Sequence, residues 1–579
     1  MNNQQISKIF NNMADLLDLK GENVFRVRAY RRAAESMGSL AKEVSLLAPD
    51  ELGAIPGIGK DLAGKILEFI QTGEIAHYEA LKREIPEGVL ELLEIQGLGP
   101  KTAMRLFKEK NVKSIDELEA LIQSGQLAGM PKIQKKTEEN ILKGLERRRR
   151  GTERRPLGQV LPAAEAIVRR IKESGVVDRI LLAGSLRRRK DDVKDADILT
   201  TSRDPQRVME VFVGMPQVER VLSRGLTKSS VILQDGLEVD LRVVEKDSFG
   251  AALQYFTGSK AHNIKLREMA VRAGLKINEY GIFTIAEEKR LGGREEEEIY
   301  AVLGLPFIPP ELREDRGEIE AALDNRLPNL VKLEDIKGDL HVHSNWSDGS
   351  HDLISLVRGA EEKGYRYIAV TDHTKGLGVA HGLDEKRLRE QIKAIDGANK
   401  KLRDLLILRG AEVDIRADGS LDLTDDILAR LDIVIASVHS GFKQSESQMT
   451  GRILSAIRHP YVSIIGHPTG RIIGEREPYP VDMEAVLKEA AHYGVAMEIN
   501  AYPFRLDLND HFIKMAKDLG VPLAVNTDAH VISHFDFMSY GISNARRGWL
   551  EARDLLNTLE TVPLRRKLKA CTDRKKNGT

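Results

Sequence analysis

The run Asp339-Leu-His-Val-His343 decides the fold of the C-terminal part of the chain, because it joins the pattern of a buried strand to imidazoles at its end. Six similar runs follow, each short, apolar and closed by a polar side chain, at 367–373, 405–412, 431–439, 464–467, 495–500 and 523–530. Helix-like stretches separate them. This alternation is typical of parallel βα folds, so seven repeats predict a (βα)7 barrel over 337–579.

Twelve of the 14 histidines lie from position 341 onward, and several of them close these runs beside carboxylates. The carboxyl ends of barrel strands meet in space, so such side chains converge. Imidazole and carboxylate suit zinc, manganese or iron, and several such ions held together activate water and clamp a phosphate. A single histidine at a strand end is more often an ordinary polar residue, but nine candidates together predict a metal site. These are His341, His343, Asp348, His373, Glu412, His439, His467, Asp528 and His530.

The motifs around these ligands carry a family resemblance. His341-Val-His343-Ser-Asn-Trp-Ser-Asp348-Gly, Thr371-Asp-His373, Ser437-Val-His439, Gly466-His467-Pro and Thr527-Asp528-Ala-His530, with the isolated Glu412, resemble the four-motif signature of the PHP (polymerase and histidinol phosphatase) family. The likeness covers about 336–579 and fills every ligand position. It implies a distorted seven-stranded barrel that binds up to three ions, Mn²⁺ or Zn²⁺, and hydrolyses phosphoesters.

Composition bounds the remaining possibilities. The chain has 579 residues, 41% of them hydrophobic, which is enough for three to five domains with their own cores. Its formal net charge is zero, so a DNA-binding role depends on local basic clusters such as 147–150 and 187–190. Cys571 is the only cysteine, and neither a signal sequence nor a membrane-spanning run is present. We therefore expect a cytoplasmic protein without membrane contact.

A repeated glycine motif near the start predicts contacts with a nucleic-acid backbone. Ile55-Pro-Gly57-Ile-Gly59 is followed 40 residues later by Ile95-Gln-Gly97-Leu-Gly99, each leading into a helix-like stretch with Lys or Arg. A tight glycine turn before a helix exposes backbone N–H groups that can bind a phosphate oxygen. The repeat resembles the helix-hairpin-helix motif, with a degraded third copy at 128–142. We expect helical domains of this type at 1–80, resembling a lyase domain, and at 81–150, resembling polymerase fingers.

A second metal site is predicted in the middle of the chain. An apolar run leads into Gly184-Ser185 and then into Asp195-Ala-Asp197, whose carboxylates share one face if the segment is a strand. Asp-Gly at 235–236 predicts a hairpin whose returning strand carries Asp240, with Glu238 as a second choice for the third acid. Asp-Ala-Asp alone is more often a solvated strand face. Together with the Gly-Ser turn and Asp240, it predicts two Mg²⁺ ions for nucleotidyl transfer.

The region 1–313 resembles the family X DNA polymerases, through these motifs and through Tyr255-Phe256-Thr-Gly258-Ser and Leu303-Gly-Leu-Pro-Phe. The resemblance implies an α+β nucleotidyltransferase palm at 151–245 and a thumb at 246–315. It assigns the catalytic metals to Asp195, Asp197 and Asp240. It further implies nucleotide contacts for Gly184, Ser185, Arg188, Tyr255, Phe256, Gly258 and Asn263, and DNA contacts for Gly57, Gly59, Gly97, Gly99 and Arg267.

Two departures from that family bear on activity. Arg189 and Lys194 stand where the animal enzymes usually have glycines near the triphosphate, which affects the expected rate or fidelity. Lys65 aligns with the Schiff-base lysine of a deoxyribose-phosphate lyase, whose amine attacks an opened abasic sugar. Asp61 replaces a basic neighbour of that lysine, so the absence of lyase activity is the favoured expectation.

The charged segment 316–336 is expected to be an exposed linker between the polymerase-like and PHP-like parts. The combined resemblance implies a bacterial or archaeal repair polymerase that fills short gaps. It also implies a PHP-domain 3′–5′ exonuclease, with abasic-site endonuclease action as a further activity. We expect a monomer that binds gapped or primed DNA and deoxynucleoside triphosphates. Two alternatives are a small-molecule PHP phosphatase fused to a nucleotidyltransferase and a non-catalytic DNA-binding scaffold.

Overall fold

The chain divides into two units, Met1–Glu153 and Arg154–Thr579, in a computed structural model. The structure describes residues 3–39, 44, 52, 58–92, 98, 100–124, 141 and 154–576. Gly57, Gly97, Gly99 and all of the degraded third copy except residue 141 lie outside the described residues.

The N-terminal unit is helical in its described part, which confirms the predicted class. Its helices are α1 (Asn3–Lys20), α2 (Val24–Ser39), α3 (Lys60–Thr72), α4 (Ala76–Glu84), α5 (Glu87–Glu91), α6 (Pro100–Lys110) and α7 (Ile115–Gln123). Helix α3 begins directly after Gly59, whose backbone is extended, and it buries Leu62, Ile66 and Phe69 in the core of this unit. The glycine motif therefore opens a helix, as its sequence predicts.

The segment predicted to be the palm contains a five-stranded sheet, whose strands lie in the order β2 (Arg179–Leu182), β4 (Asp195–Thr201), β7 (Glu238–Val243), β6 (Lys228–Leu233) and β5 (Val218–Arg224). Strands β4 and β7 are parallel, and the other neighbouring pairs are antiparallel. The predicted hairpin joins β6 to β7, with Gly236 at a φ of +85° that favours glycine. The palm elements are β1 (Arg155–Pro156), α8 (Leu157–Glu173), β2 (Arg179–Leu182), α9 (Gly184–Arg187), β3 (Asp192–Val193), β4 (Asp195–Thr201), α10 (Pro205–Val213), β5 (Val218–Arg224), β6 (Lys228–Leu233) and β7 (Glu238–Val243).

The thumb packs a small sheet, in the order β10-β9-β8, against short helices. Its elements are α11 (Phe249–Thr257), α12 (Lys260–Arg272), β8 (Leu275–Asn278), β9 (Gly281–Thr284), β10 (Arg290–Gly292), α13 (Glu296–Val302) and α14 (Glu318–Leu323).

The prediction of an exposed linker at 316–336 is wrong. Helix α14 lies in this segment, and Ile319 and Leu330 are buried in the core of the thumb. Glu318 is fully buried, and its carboxylate lies 2.6 Å from Nδ1 of His262 and accepts hydrogen bonds from two backbone N–H groups. The charged composition of the segment did not indicate the burial of Glu318, because a sequence does not distinguish a buried carboxylate that has polar partners from a solvated one.

The C-terminal part of the second unit forms the predicted barrel. Seven parallel strands follow one another in chain order, β11 to β17. The ring approaches closure between its ends, where His343 N donates to Ala529 O at 2.8 Å. The strands are β11 (Gly338–Val342), β12 (Tyr367–Val370), β13 (Leu406–Asp414), β14 (Ile433–Ser437), β15 (Ile464–Ile465), β16 (Ala496–Asn500) and β17 (Leu523–Asn526).

Helices connect these strands and cover the barrel. They are α15 (Leu353–Glu362), α16 (Glu385–Asn399), α17 (Asp425–Leu428), α18 (Glu446–Arg458), α19 (Met483–Tyr493), α20 (Asp510–Asp518), α21 (Met538–Arg547) and α22 (Thr561–Lys576). Short 3₁₀ helices occupy Lys246–Ser248, Pro310–Leu312, Leu333–Asp335, Gly378–Ala380, Ile532–Phe537, Ala552–Asp554 and Leu556–Thr558. In the described part of the chain, no helix is long and apolar enough to cross a membrane.

Candidate functional site

The predicted acids of the palm meet on two adjacent parallel strands. In the register of β4 and β7, Asp197 lies beside Asp240, and Asp195 lies beside Glu238. Residues two apart on a strand face the same way, so all four carboxylates share one face of the sheet. The structure therefore brings together the three predicted acids, and it also places the second-choice Glu238 among them.

This crowding of negative charge has an electrostatic consequence at Asp197. Burial, reinforced by the charges of Asp195 and Asp240, raises the pKa of Asp197 to about 6. The ammonium of Lys228 partly compensates, because Nζ lies 2.6 Å from Oδ2 of Asp240. Within the described residues, the buried Oδ1 of Asp240 has no hydrogen-bond partner. The set fits divalent cations, which would complete its coordination and balance its charge.

Gly184 brings the Gly-Ser turn against these acids. Its φ is +61°, and a Cβ added there would lie 2.3 Å from Oδ2 of Asp197. Both facts require glycine at this position. The turn continues into α9 and then into Arg189, a non-glycine residue with a φ of +56°. The glycine that the animal enzymes usually carry would adopt this conformation without the strain of about 1–2 kcal/mol that another residue incurs.

Arg188, predicted to bind the triphosphate, is held by two partners in the structure. Its Nε donates to Oε1 of Glu314 at 2.9 Å, and its Nη1 donates to the carbonyl of Thr257 at 2.8 Å. Thr257 ends the first helix of the thumb, and Glu314 lies at the end of the thumb region. Arg188 thus lies where the palm meets the thumb, one helical turn beyond Ser185.

A cleft of about 780 Å³ lies between the palm and the thumb, and it is connected to the acids through Lys228, which lines it and pairs with Asp240. Lys228, Arg242, Phe256 and Tyr280 are among the residues that line it. The guanidinium of Arg242 lies 4.5 Å from the ring centre of Phe256, and the ring of Tyr255 packs edge-on against Phe256 at 5.2 Å. The basic and aromatic part of this lining suits a nucleotide or a DNA strand, and the acidic Asp178, Glu245 and Glu279 also line the cleft.

Asn263, predicted to contact the nucleotide, makes three hydrogen bonds within the protein. Its side-chain NH₂ donates to the carbonyls of Tyr255 and Gly258, and its Oδ1 accepts from Gln254. A Cβ added at Gly258 would lie 2.3 Å from that Oδ1, so the glycine allows the close approach. Asn263 therefore connects α11 to α12. The exposed Arg267 follows it by one turn, and its Nε donates to the carbonyl of Asn263.

Lys65, the candidate lyase nucleophile, forms an ion pair with the residue that departs from the family pattern. Its Nζ lies 2.6 Å from Oδ1 of Asp61, one turn earlier on α3. The Lys65 side chain is only 13% exposed, and burial raises the pKa of the nearby Tyr30 hydroxyl. An amine whose lone-pair position is occupied by an ion pair with a carboxylate is poorly placed to attack a sugar carbon.

The nine predicted ligands of the barrel converge at the carboxyl ends of its strands. Glu412 lies at the centre: its carboxylate is 2.8 Å from Nδ1 of His373, 3.0 Å from Nε2 of His467 and 3.3 Å from Nε2 of His439. Eight of the nine form three groups whose ligand atoms lie within 4.8 Å of one another. These groups are His343, Asp348, His373 and His530; His341, His343 and Asp528; and His373, Glu412 and His439.

The side chains of this centre have the properties expected of metal ligands. Among the described residues, Nε2 of His341 and both ring nitrogens of His343 are buried without a hydrogen-bond partner. Burial, together with the neighbouring His373 and His530, lowers the pKa of His343 to about 3, so its ring is neutral as metal binding requires. Burial opposes the charged form of Glu412, but surrounding imidazoles hold its pKa well below the usual range. Divalent metal ions fit this donor set.

Sequence reasoning missed a residue that supports this centre. Glu498 on β16 is fully buried, and its Oε1 lies 2.7 Å from Nδ1 of His341. Its other oxygen accepts a 2.7 Å hydrogen bond from the backbone N–H of His467. Such partners fix the orientation of a ligating imidazole. The sequence of 495–500 predicts a strand. Nothing in that sequence shows whether its carboxylate, Glu498, binds a metal or supports a residue that does.

Comparison with known proteins agrees with this geometry. The chain is 40% identical, over 96% of its length and 97% of the relative's, to the DNA polymerase/3′–5′ exonuclease PolX of Bacillus subtilis (strain 168). The chain belongs to the PolX family. Family models match a helix-hairpin-helix domain at 1–75, a SAM-like helix-hairpin-helix tandem at 89–147, a DNA polymerase beta thumb at 252–314 and a PHP domain at 339–501. These matches confirm the predicted family, fold class and combination of a DNA polymerase with a PHP exonuclease.

The barrel alone also resembles proteins of another description. A probable phosphatase of Thermoanaerobacter sp. (strain X514) is 39% identical over 33% of this chain and 78% of its own length. One from Syntrophotalea carbinolica is 30% identical over 39% of this chain and 93% of its own length. This likeness covers little more than a third of the chain, whereas the PolX relative spans nearly all of it.

Proposed function

We propose that the chain fills short gaps in DNA at the palm and degrades DNA 3′ ends at the barrel. The observation that carries this proposal is the pairing of two sites in one unit. One consists of three acids on one face of β4 and β7 beside the Gly-Ser turn, and the other is a barrel centre where eight of the nine candidate ligands form three groups that could hold a metal ion. The substrates are gapped or primed DNA and deoxynucleoside triphosphates. A reducing cytoplasm suits a chain with one buried cysteine, and we propose a monomer.

At the palm, Asp195, Asp197 and Asp240 would hold two Mg²⁺ ions, which supply charge neutralisation for the primer 3′-hydroxyl and the triphosphate. Two changes in the chain must accompany their binding. The proton that burial keeps on Asp197 up to about pH 6 must leave. Lys228, which now compensates Asp240, must move aside. Arg188 and the Gly184-Ser185 turn then face the triphosphate, with Tyr255 and Phe256 beside the sugar.

At the barrel, the imidazoles and carboxylates would hold two or three ions of the Mn²⁺ or Zn²⁺ type, which activate water and stabilise charge on a phosphate. Glu412 lies within 3.3 Å of the imidazoles of His373, His439 and His467, so one carboxylate contacts candidate ligands from several strands. Abasic-site cleavage is a phosphodiester hydrolysis of the same kind, and we assign it to this centre. Lyase action at Lys65 is not part of the proposal, because Asp61 holds the amine.

Paired double substitutions test the separation of the two activities. Asp195→Ala with Asp197→Ala should abolish extension on a gapped substrate and leave 3′-end degradation intact. His341→Ala with His343→Ala should do the reverse, while the exposed His492 and His511, changed to alanine together, should affect neither. Each protein is assayed with Mg²⁺ and with Mn²⁺, and its metal content is measured. Loss of both activities in the aspartate variant, with DNA binding retained, would rule out separate sites.

The two alternative functions predict different results from the same proteins. A small-molecule phosphatase, which the barrel's resemblance to probable phosphatases favours, would release phosphate from a sugar phosphate and leave DNA 3′ ends untouched. A non-catalytic scaffold would bind gapped DNA and retain its metals without extending or degrading it.

A further inference from the structure

The loop that follows the Gly-Ser turn of the palm is in direct contact with the barrel. The barrel's Arg471 donates from Nη1 to Oδ2 of Asp191 at 2.9 Å. The barrel also contributes Ile473, Leu506 and Tyr540 to the apolar core of the palm. The segment between Ser185 and Asp195 connects the two halves of the proposed nucleotide site. Contacts from the barrel therefore stabilise this segment.

Arg547, at the end of α21, makes the most specific of these contacts. Its Nη1 donates to the carbonyl of Arg188 at 2.7 Å and to Oε1 of Glu314 at 3.1 Å. The same Oε1 accepts from Nε of Arg188 at 2.9 Å. One nitrogen of Arg547 thus fixes Arg188 at both its backbone and, through Glu314, its guanidinium.

The environment of Arg547 makes this arrangement rigid. Its side chain is 2% exposed, and its other terminal nitrogen donates to Asp510. Burial disfavours charge on Glu314, but Arg547 and Arg188 together hold the pKa of that carboxyl below its usual value. Glu314 is shared by two guanidinium groups. It therefore neutralises Arg188 less fully than a carboxylate bonded to Arg188 alone would. Arg188 therefore keeps positive charge available for an anion.

We propose that Arg547 of the barrel is a positioning residue for nucleotide binding in the palm, acting through Arg188 and Glu314. The proposal rests on the proposed triphosphate contact of Arg188. Removing Arg547 leaves the carbonyl of Arg188 without this hydrogen bond, and it leaves Glu314 paired with Arg188 alone. The first change loosens the position of Arg188 and the second neutralises its charge, so both weaken triphosphate binding. The barrel thereby contributes to the affinity of the polymerase site, in addition to carrying its own metal centre.

Steady-state gap filling by the full-length protein tests this, with KM for the nucleotide and kcat determined separately. Arg547→Met should raise KM about tenfold, the effect of one lost charge-assisted hydrogen bond, and change kcat less than about twofold. Arg547→Lys keeps the charge without the fork and should give a smaller rise in KM, of about threefold. If the methionine variant does not fold, the lysine variant decides, and an unchanged KM there refutes the proposal.

Arg546→Met is the matched control. Arg546 is the preceding residue on α21 and also bonds a thumb carboxylate, Glu311, but it does not contact Arg188 or Glu314. An equal rise of KM in this control, or a parallel loss of 3′-end degradation in the Arg547 variants, would mean general loosening of the interface and would overturn the inference.

Arg188→Met separates this inference from the function on which it rests. A raised KM in Arg188→Met with an unchanged KM in Arg547→Met overturns the role of Arg547 alone. An unchanged KM in Arg188→Met overturns the triphosphate contact of Arg188 and the inference with it.

Discussion

Asp197→Asn provides a quantitative test of the palm as a metal site, because the substitution removes one charge and preserves the shape of the side chain. The carboxyl is half-buried, and burial together with the neighbouring acids raises its pKa from 3.8 to about 6. This rise corresponds to about 3 kcal/mol against the charged form, at about 1.4 kcal/mol for each pH unit. The folded chain holds the proton more tightly than the unfolded chain does. The ionised carboxylate therefore destabilises the metal-free fold.

The pH dependence follows from the same values. The penalty is absent well below pH 3.8, grows between 3.8 and 6, and is complete above 6. In EDTA the free energy of unfolding of Asp197→Asn should exceed that of the wild type by up to about 3 kcal/mol at pH 8 and by about half as much at pH 5. With excess Mg²⁺ the order should reverse at pH 8, because the ions stabilise the intact carboxylate set and bind the variant poorly.

Scanning calorimetry of the full-length proteins at both pH values measures this effect. Asp178→Asn is the control, since that carboxyl is exposed on the same domain. A difference between Asp197→Asn and the wild type that is independent of pH would refute the assignment of a half-buried, destabilising charge. Equal stabilisation of both proteins by Mg²⁺ would refute metal binding at this carboxylate.

Three further predictions address individual contacts. Glu498→Gln should lower the metal content of the barrel and slow 3′-end degradation about 10- to 100-fold, without affecting extension; metal analysis together with both assays checks this. Gly184→Ala should abolish extension by displacing the facing acid, whereas Gly175→Ala, which also has a positive φ but lies in open space, should cost only stability; primer extension and thermal unfolding distinguish them. Borohydride trapping on abasic DNA should give no adduct with the wild type and a measurable adduct with Asp61→Asn, because the substitution removes the ion pair at Lys65. The double variant Asp61→Asn with Lys65→Arg is the negative control.

The barrel was predictable from the sequence because each strand carries two signals at once. A run such as Leu-His-Val-His both alternates like a strand and ends on ligands, so its type and its position in the ring are specified together. Asp195, Asp197 and Asp240 were predictable for a similar reason, since two-residue spacing and a hairpin turn determine which face each acid occupies. Residues that act through others lack such a signal, and Glu498 and Glu314 were missed on that account.

The same distinction explains the error at 316–336. Charged composition predicted exposure, but burial depends on partners that lie far away in the sequence, as His262 does for Glu318. The contacts between the barrel and the palm are of this kind. Arg547 and Arg188 are 359 positions apart, and neither lies in a motif that would relate it to the other.

These contacts bear on how the two activities should be separated experimentally. His467, a proposed barrel ligand, lies four residues before Arg471, whose guanidinium bonds Asp191 of the palm loop and the carbonyl of Leu506. Leu506 is itself part of the palm core. Deleting the barrel would therefore expose apolar palm surface and remove the supports of Asp191 and Arg188 together. Reduced extension by a truncated chain would reflect those losses, so substitutions at single ligands measure the independence of the two centres more directly than truncation does.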